Sequence, residues 1–571
     1  MAGGILNLIA IGNANVLLTG NPEKTFFRVT YSKHTNFGLQ KFRLDYNGTR
    51  SLRLTEESVF TFKVPRYAEL LMDTYLVVTI PDIWSPIYPP ELPGTSPPEL
   101  PPGAPVNPTY TTFDFRWIED LGTHMIKEIE ILCGALTLSK YSGEYLAAMV
   151  DRDFPEEKKK LFNEMTGNTV DFNNPESAHN RFNTYPNAFF HDLESASQDT
   201  SDDVDAVQYQ VTSSTEGVEP SIRGRNLYIP LNTWFTLNSK CAIPLVALQY
   251  NEIEIRVTLR PIQQLYRVRD VFDEENNYPY VQPDYSFDRF QLYRFLQSPL
   301  KSNILHENAY INRFNTWNAD VHLISTYAFL SEDEARLFAQ EDQVYLIKDV
   351  FTHKADNIYG SRKVKIDSKG MVASWMWYLQ RNDAHMRNEW SNYTNWPYRK
   401  LPNNTRLAPK HLLTHNGKNT GIFTSGNYSM ENQKHIMTSM GIVLDGKYRE
   451  NTLPRGVFDY IEKYTRTNGF AKEGLYCYNF CLNTNPTVYQ PSGALNLGKF
   501  ENIELEITTY VPRIDEENSA FNVICDENGN AIAVNKSNWR LYEYTYNLVL
   551  FEERYNVLSF IGGNAALLYA R

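Results

Sequence analysis

The 571-residue chain is short of cysteine, of positive charge and of long apolar runs, and each shortage removes a class of protein. Its five cysteines, Cys133, Cys241, Cys477, Cys481 and Cys525, are odd in number and scattered. They do not frame a disulfide-stapled fold; they point to a reducing compartment and to small buried hydrophobes. Lysine and arginine number 55 against 67 acids, a net charge of −12. No cationic surplus is there to neutralise phosphates, so direct contact with nucleic acid is not expected. No charged residue precedes Glu23, so Ile5–Ile11 lacks the basic flank of a signal peptide. Asn7, Gly12, Asn13 and Asn15 interrupt that stretch well short of the roughly 20 apolar residues a spanning helix needs. Ala2 stands where myristoylation requires glycine. The expectation is a soluble protein made and kept in the cytoplasm.

Motifs that carry chemistry are missing or broken. There is no GxGxxG and no GxSxG. Gly20-Asn21-Pro22-Glu23-Lys24-Thr25 ends like a P-loop, but Glu23 puts a carboxylate where glycine must let backbone amides wrap a phosphate. His411 and His415 have zinc-helix spacing without the glutamate between them. Cys477 and Cys481 have no second Cys/His pair. Asp526–Asn530 opens like an EF-hand loop, but Ala531 replaces its glycine and Ser537 its bidentate glutamate. Asn47, Asn392, Asn403, Asn427 and Asn535 start sequons that an asparagine-rich chain produces by chance. No catalytic, cofactor-binding or metal-ligating residue is assigned, no cofactor is expected, and the chain reads as a non-enzyme.

What is abundant is β-forming residues. Aromatics reach 13 %, with 37 Tyr and 31 Phe, which suits half-buried pleated surfaces and broad contact faces. Phe26–Tyr31, Ser58–Val64 and Tyr75–Ile80 read as strands, the last buried on both faces and stopped by Pro81. Glu128-Ile129-Glu130-Ile131 alternates within Ile126–Leu138, and Phe521–Val534 reads as a hairpin turning on Asn528-Gly529. Short helices are expected at Tyr145–Met149, Glu156–Glu164 and Ser331–Ala339, the last with a Ser331/Glu334 capping box. Many strands with few helices indicate a sandwich, barrel or jelly roll.

Three segments read as insertions. Pro81–Pro108 holds eleven prolines in 28 residues, with Pro-Pro-Glu-Leu-Pro twice, and is a stiff extended loop. Asp192–Pro220 has eight acids and no Lys or Arg. Asp273–Phe287 is the candidate linker. A repeat divides the rest. Tyr-Asn-Glu-Ile-Glu-Ile-Arg-Val-Thr at 250–258 and Phe-Glu-Asn-Ile-Glu-Leu-Glu-Ile-Thr at 500–508 alternate in register, and each meets proline soon after. Two copies of a β domain, each ending a structural cycle with an equivalent strand, would produce this.

Further residues carry a resemblance. Gly3-Gly4-Ile5-Leu6-Asn7-Leu8-Ile9-Ala10-Ile11-Gly12, Leu18-Thr19-Gly20-Asn21-Pro22, Thr25-Phe26-Phe27 and His34-Thr35-Asn36-Phe37 closely resemble the start of major capsid proteins of nucleocytoplasmic large DNA viruses. Ile243–Tyr250, Gln490-Pro491-Ser492-Gly493-Ala494-Leu495-Asn496, Tyr555-Asn556-Val557-Leu558 and Gly562-Gly563 resemble later landmarks of that family in order. The doubled Pro-Pro-Glu-Leu-Pro loop departs from the family, and its basic pair before His34 is reduced to Ser32-Lys33.

The resemblance implies an all-β chain of two tandem eight-stranded antiparallel jelly rolls with long loops and a few short helices. It divides as an N-terminal arm 1–24, a first jelly roll 25–265, a linker 266–300 and a second jelly roll 301–571. It implies a homotrimer whose six barrels make a pseudo-hexagonal capsomer of an icosahedral capsid in the virion. The implied partners are further trimers, minor capsid and penton proteins and, through the arm, the internal viral membrane. Loops 81–108 and 192–220 are expected in an outward tower or in trimer contacts. The alternatives are a minor or penton-like jelly-roll capsid component and a carbohydrate-binding β-sandwich protein.

Overall fold

The computed structural model describes residues 3–48, 51–85, 113–175, 220–270, 279–298, 310–396, 398, 399, 434–511 and 544–570, and the backbone of 412–415, 418–423, 522–525 and 531–535. Sixteen of its strands form two sets of eight. The first set is β1 (Phe37–Leu44), β2 (Ser58–Lys63), β3 (Leu70–Ile80), β4 (Ile126–Cys133), β5 (Leu136–Tyr141), β6 (Arg225–Pro230), β7 (Ile253–Leu259) and β8 (His322–Leu330). The second is β9 (Gln343–Ile358), β10 (Ser361–Lys365), β11 (Met371–Arg381), β12 (Met437–Leu444), β13 (Lys447–Pro454), β14 (Leu475–Asn479), β15 (Ile503–Thr509) and β16 (Tyr546–Ile561). The sheets run β1-β8-β3-β6 and β2-β7-β4-β5, then β9-β16-β11-β14 and β10-β15-β12-β13, so the second pair repeats the first with eight added. Every pairing is antiparallel. This strand order is that of a jelly roll, made twice.

The 250-residue repeat falls on β7 and β15. Ile253, Ile255, Val257 and Leu259 point into one core, and Ile503, Leu505 and Ile507 into the other, with half-exposed residues between. A strand of period two with one buried face must alternate in this way. The residues before them repeat as well: Ile243-Pro244 pairs with β3 and Leu495-Asn496 with β11, and a 3₁₀ turn follows each. The repeat marks the seventh strand of each cycle, not its end. Tyr75–Ile80 lies in β3 and is buried on both faces, with Leu76, Val77, Val78 and Ile80 almost inaccessible.

The expected division of the chain shifts. The described residues of 266–300 do not form a free linker: Tyr266–Arg269 pairs with Phe115–Trp117 and with Tyr280–Val281, and Tyr266, Leu292 and Phe295 are fully buried. His322–Leu330, expected in the second unit, is β8, hydrogen-bonded between β1 and β3 of the first. The connection between units is therefore the helix Glu332–Gln340, lying between β8 and β9. The Pro/Asn/Asp-rich composition of 273–287 suggests a boundary, but Tyr280–Val281 within it pairs with the strand Tyr266–Arg269, and Phe290, Leu292 and Phe295 just after it belong to the first barrel's core.

Other expectations meet mixed outcomes. Helices form at Gly143–Asp153 and Glu156–Thr166 around the expected stretches. Ser331 precedes the helix Glu332–Gln340, but its side chain makes no capping hydrogen bond; three acids in the first turn suit the helix dipole instead. Phe26–Tyr31 is not a strand: among the described residues no neighbouring strand offers its backbone a ladder, and it lies exposed. Asn522–Cys525 and Ala531–Asn535 pair as a hairpin between β15 and β16; its turn lies outside the described residues. So do most of 81–108 and all of 192–219.

Candidate assembly surfaces

The two barrels meet along a buried seam. Its centre is α1 (Gly143–Asp153), which follows β5 and has every residue but Glu144 buried. The Ser142 side chain accepts a hydrogen bond from the Tyr145 amide at the helix start, so one orphan donor is capped. Gly143 is required there: a Cβ would lie 1.8 Å from the Thr123 carbonyl oxygen. Gly469 allows a similar approach from the second unit. Its amide donates to the Arg152 carbonyl, and a Cβ would sit 2.7 Å from that oxygen.

Arg152 is fully buried and ties the barrels together. Its guanidinium donates to Asp153 at 2.6 Å, to Glu553 on β16 at 2.9 Å and to the Ser374 hydroxyl on β11 at 3.1 Å. The Tyr145 hydroxyl donates to Glu553 at 2.8 Å, and the Ser374 hydroxyl donates to its other oxygen at 2.6 Å. Burial alone would push the Glu553 carboxyl up, but the charges of Arg152 and Lys348 and the hydrogen bonds from Ser374 and Tyr145 together outweigh it and hold the group below the ordinary carboxylate range. A second pair lies beside it: Lys472 of the second unit donates to Asp120 of the first at 2.7 Å, as does Ser391 at 2.7 Å. The apolar part of the seam is continuous with the first barrel's core and includes Ile347, Val350, Met376, Tyr378 and Phe551. β11 thus has two buried faces, with Trp375, Trp377 and Leu379 in the second barrel's own core.

Other surfaces carry apolar residues with no intramolecular cover. Residues 3–36 contain no buried residue; Leu17, Leu18, Phe26 and Phe27 are among the most exposed. The arm begins with the helix Gly3–Ile9. Next to it, Phe37 and Leu39 on β1 are more than half exposed. In the second barrel, Tyr448 on β13 and Tyr460, Ile461 and Tyr464 on the helical segment 457–466 are exposed.

The motifs weighed in the sequence bring no chemistry together. Among the described residues no group of His, Cys, Asp and Glu could hold a metal ion. Cys477 and Cys481 are buried, and burial pushes the Cys477 thiol up to about 12, which makes it inert. His415 ends a short strand, whereas His411 lies outside the described residues. Gly20–Thr25 opens no helix. Asn392 is buried, and its side-chain oxygen accepts from the amide and hydroxyl of Thr394, so this sequon is closed on itself. Asn47 forms a bridge with Thr61, and Asn403, Asn427 and the Asn535 side chain lie outside the described residues. Among the described residues no helix is long and apolar enough to cross a membrane. The Arg152–Glu553 seam was not foreseen. Its signal is Glu552-Glu553 inside the apolar β16, where period two sends one carboxylate to each buried face.

Comparison with known proteins gives a consistent result. Residues 25–294 match the family described as major capsid protein N-terminus, and residues 334–566 the family described as large eukaryotic DNA virus major capsid protein. The major capsid protein of Phaeocystis pouchetii virus is 22% identical over 99% of this chain and 99% of its own length. That of Chrysochromulina ericina virus is 26% identical over 66% of this chain and 58% of its own. The solved structure of PBCV-1 VP54, fitted into a reconstruction of the virophage Sputnik, superposes with a TM-score of 0.58 at 17% identity, over 96% of this chain and 100% of that one.

Proposed function

Because the chain belongs to the large eukaryotic DNA virus major capsid proteins, we propose that it trimerises into a pseudo-hexagonal tile of an icosahedral virus shell. It is a structural subunit of the virion capsid. The observation that carries the proposal is the double jelly roll itself. Two barrels of one topology, locked side by side by a buried seam, form one third of a six-barrel ring. Such a ring is built from a heterologous contact that closes by rotation. An obligate contact of this kind would bury roughly 2,000–5,000 Å² and favour aromatic residues. Trimers then meet through smaller contacts, which lets a large shell correct errors as it grows.

The chain acts by geometry and not by catalysis. The likeness to major capsid proteins supports this reading. It is made in the host cytoplasm and joins minor capsid and penton proteins. The exposed apolar arm lies on the inner face, against a minor capsid protein or the internal membrane. Light scattering on the purified chain tests the proposal. A mass of three times 66.1 kDa is expected, and a monomer at micromolar concentration overturns it.

A further inference from the structure

Part of the seam between the barrels is a cavity of about 70 Å³. The first barrel supplies one wall, from Met149 of α1 and from the turn 232–241 that follows β6. The second supplies the other, from β9 and the segment 486–489. The walls are also tied to each other. The Asn238 side chain donates to the Thr487 carbonyl at 3.2 Å, and the Lys240 amine lies 4.4 Å from the centre of the Tyr489 ring. Leu346, Val488 and Tyr489 at the rim are 39 %, 43 % and 56 % exposed, so the cavity is reached from solvent.

Three consecutive residues of the turn bring unpaired polar atoms to this cavity. Asn232 Nδ2, Thr233 Oγ1 and Trp234 Nε1 are buried and find no hydrogen-bond partner among the described residues. Thr233 as a whole is 6 % exposed. Asn232 is left-handed, at φ 47°, which turns the chain so that successive side chains line one cavity and do not alternate. Native proteins rarely leave even one buried polar atom unpaired. An indole and an amide N–H can only donate, and a hydroxyl can also donate, so the site calls for an acceptor. Lys348 lines the same cavity and carries a cation; it donates to the Thr484 carbonyl at 3.2 Å and has further N–H groups to give. Glu553 lines it too, but its oxygens already accept from Arg152, Tyr145 and Ser374, and Arg152 balances its charge. Met149, Leu237 and Val350 make the remaining wall apolar.

We propose that this cavity binds a small carboxylate with a short alkyl chain. The carboxylate accepts from Asn232, Thr233 and Trp234, with Lys348 matching its charge, and the chain lies along Met149, Leu237 and Val488. A water-sized group takes roughly 10–15 Å³ of such space, so the cavity holds about five, and a longer chain extends over the rim. Donors in a partly buried site hold an anion more strongly than a neutral acceptor. The ligand touches both barrels at once and only when they are docked, so its binding stabilises the folded chain. The proposal stands independently of the trimer reading.

Saturation-transfer NMR and thermal unfolding of the purified chain with pentanoate test it, with pentanamide as the neutral isostere. Saturable transfer from the unaltered chain is expected, with half-saturation at roughly 1–10 mM, the range open to so small a ligand. The unfolding midpoint is expected to rise with pentanoate concentration. Pentanamide is expected to bind about tenfold more weakly. Thr233→Val keeps the side-chain shape but removes the hydroxyl, and is expected to weaken pentanoate binding about tenfold or more. Leu237→Trp fills the cavity and is expected to abolish binding while unfolding stays cooperative; if that variant does not fold, Thr233→Val carries the same test. No saturable transfer from the unaltered chain overturns the proposal. So does binding that neither variant weakens, and so does pentanamide binding as tight as that of pentanoate.

Discussion

The helix Gly143–Asp153 and the segment Val457–Arg466 occupy the same place in two barrels of one topology, yet one is buried and the other carries exposed tyrosines. The difference is not in fold. It lies in what each barrel has beside it: the first is covered by its own chain, and the second is exposed. Both places are helical, although Val457–Ile461 is a π-helical turn that runs into the short α-helix Glu462–Arg466, and in both a charge pair steadies the segment. Arg152 pairs with Asp153 and Glu553, and Lys463 with Asp459 at 2.6 Å. Only the first pair reaches across to another barrel.

The strongest way to break this comparison is to remove the cross-barrel pair. Arg152→Ala leaves Glu553 and Asp153 buried without the guanidinium that donates hydrogen bonds to both. Removing one partner of a buried pair costs about 3–5 kcal/mol, so chemical denaturation of the variant is expected to show a loss of that size. A loss no larger than for an exposed arginine such as Arg53, whose ion pair with Glu56 lies at the surface, would mean that the seam is not held this way.

A pH test is next in size. Burial, which Asp120 opposes and Lys472 reinforces, pushes the buried His124 imidazole down to about 4. In an unfolded chain histidine titrates at about 6.5. Between those values the unfolded chain binds a proton that the folded chain does not, so this contribution is full above pH about 6.5 and lost as pH falls toward about 4. The shift corresponds to about 3 kcal/mol. Burial also lowers His435, with the same sign. Unfolding free energies at both ends of the window are expected to differ less in His124→Phe than in the unaltered chain; equal slopes would remove His124 from the account.

A finer test separates the hydrogen bond from the packing. Tyr145→Phe keeps the ring against Phe551 but removes the hydroxyl that donates to Glu553. A hydrogen bond to a charged group contributes about 1.5–3 kcal/mol. The variant is expected to lose that much in denaturant unfolding and to remain trimeric. An unchanged midpoint would assign the seam's stability to Arg152 and the apolar contacts alone.

These residues also show how far the sequence could be read. β7 and β15 were legible because an amphipathic strand carries its pattern locally, in Ile253-Glu254-Ile255 and Ile503-Glu504-Leu505. The partner of a strand is not local. His322–Leu330 belongs to the first barrel only because β1, at Phe37–Leu44, lies next to it in space, and nothing within nine residues says so. Arg152 reads as an ordinary basic residue in the last turn of a helix. Its meaning comes from Glu553, about 400 residues away.

The smallest effect is expected at the other extreme, the arm. Residues 3–36 contribute nothing to either core, and their apolar side chains stay in solvent within one chain. Substitutions at such positions typically change stability by no more than about 0.5 kcal/mol. Deleting residues 2–20 is therefore expected to leave both the unfolding midpoint and the trimer mass unchanged. Shell formation, scored by electron microscopy of assembled particles, is expected to fail, because an apolar segment that serves neither barrel nor trimer has its use at the next level of assembly. If the deletion dissolved the trimer instead, the arm would be part of the subunit contact and not of the shell's inner lining.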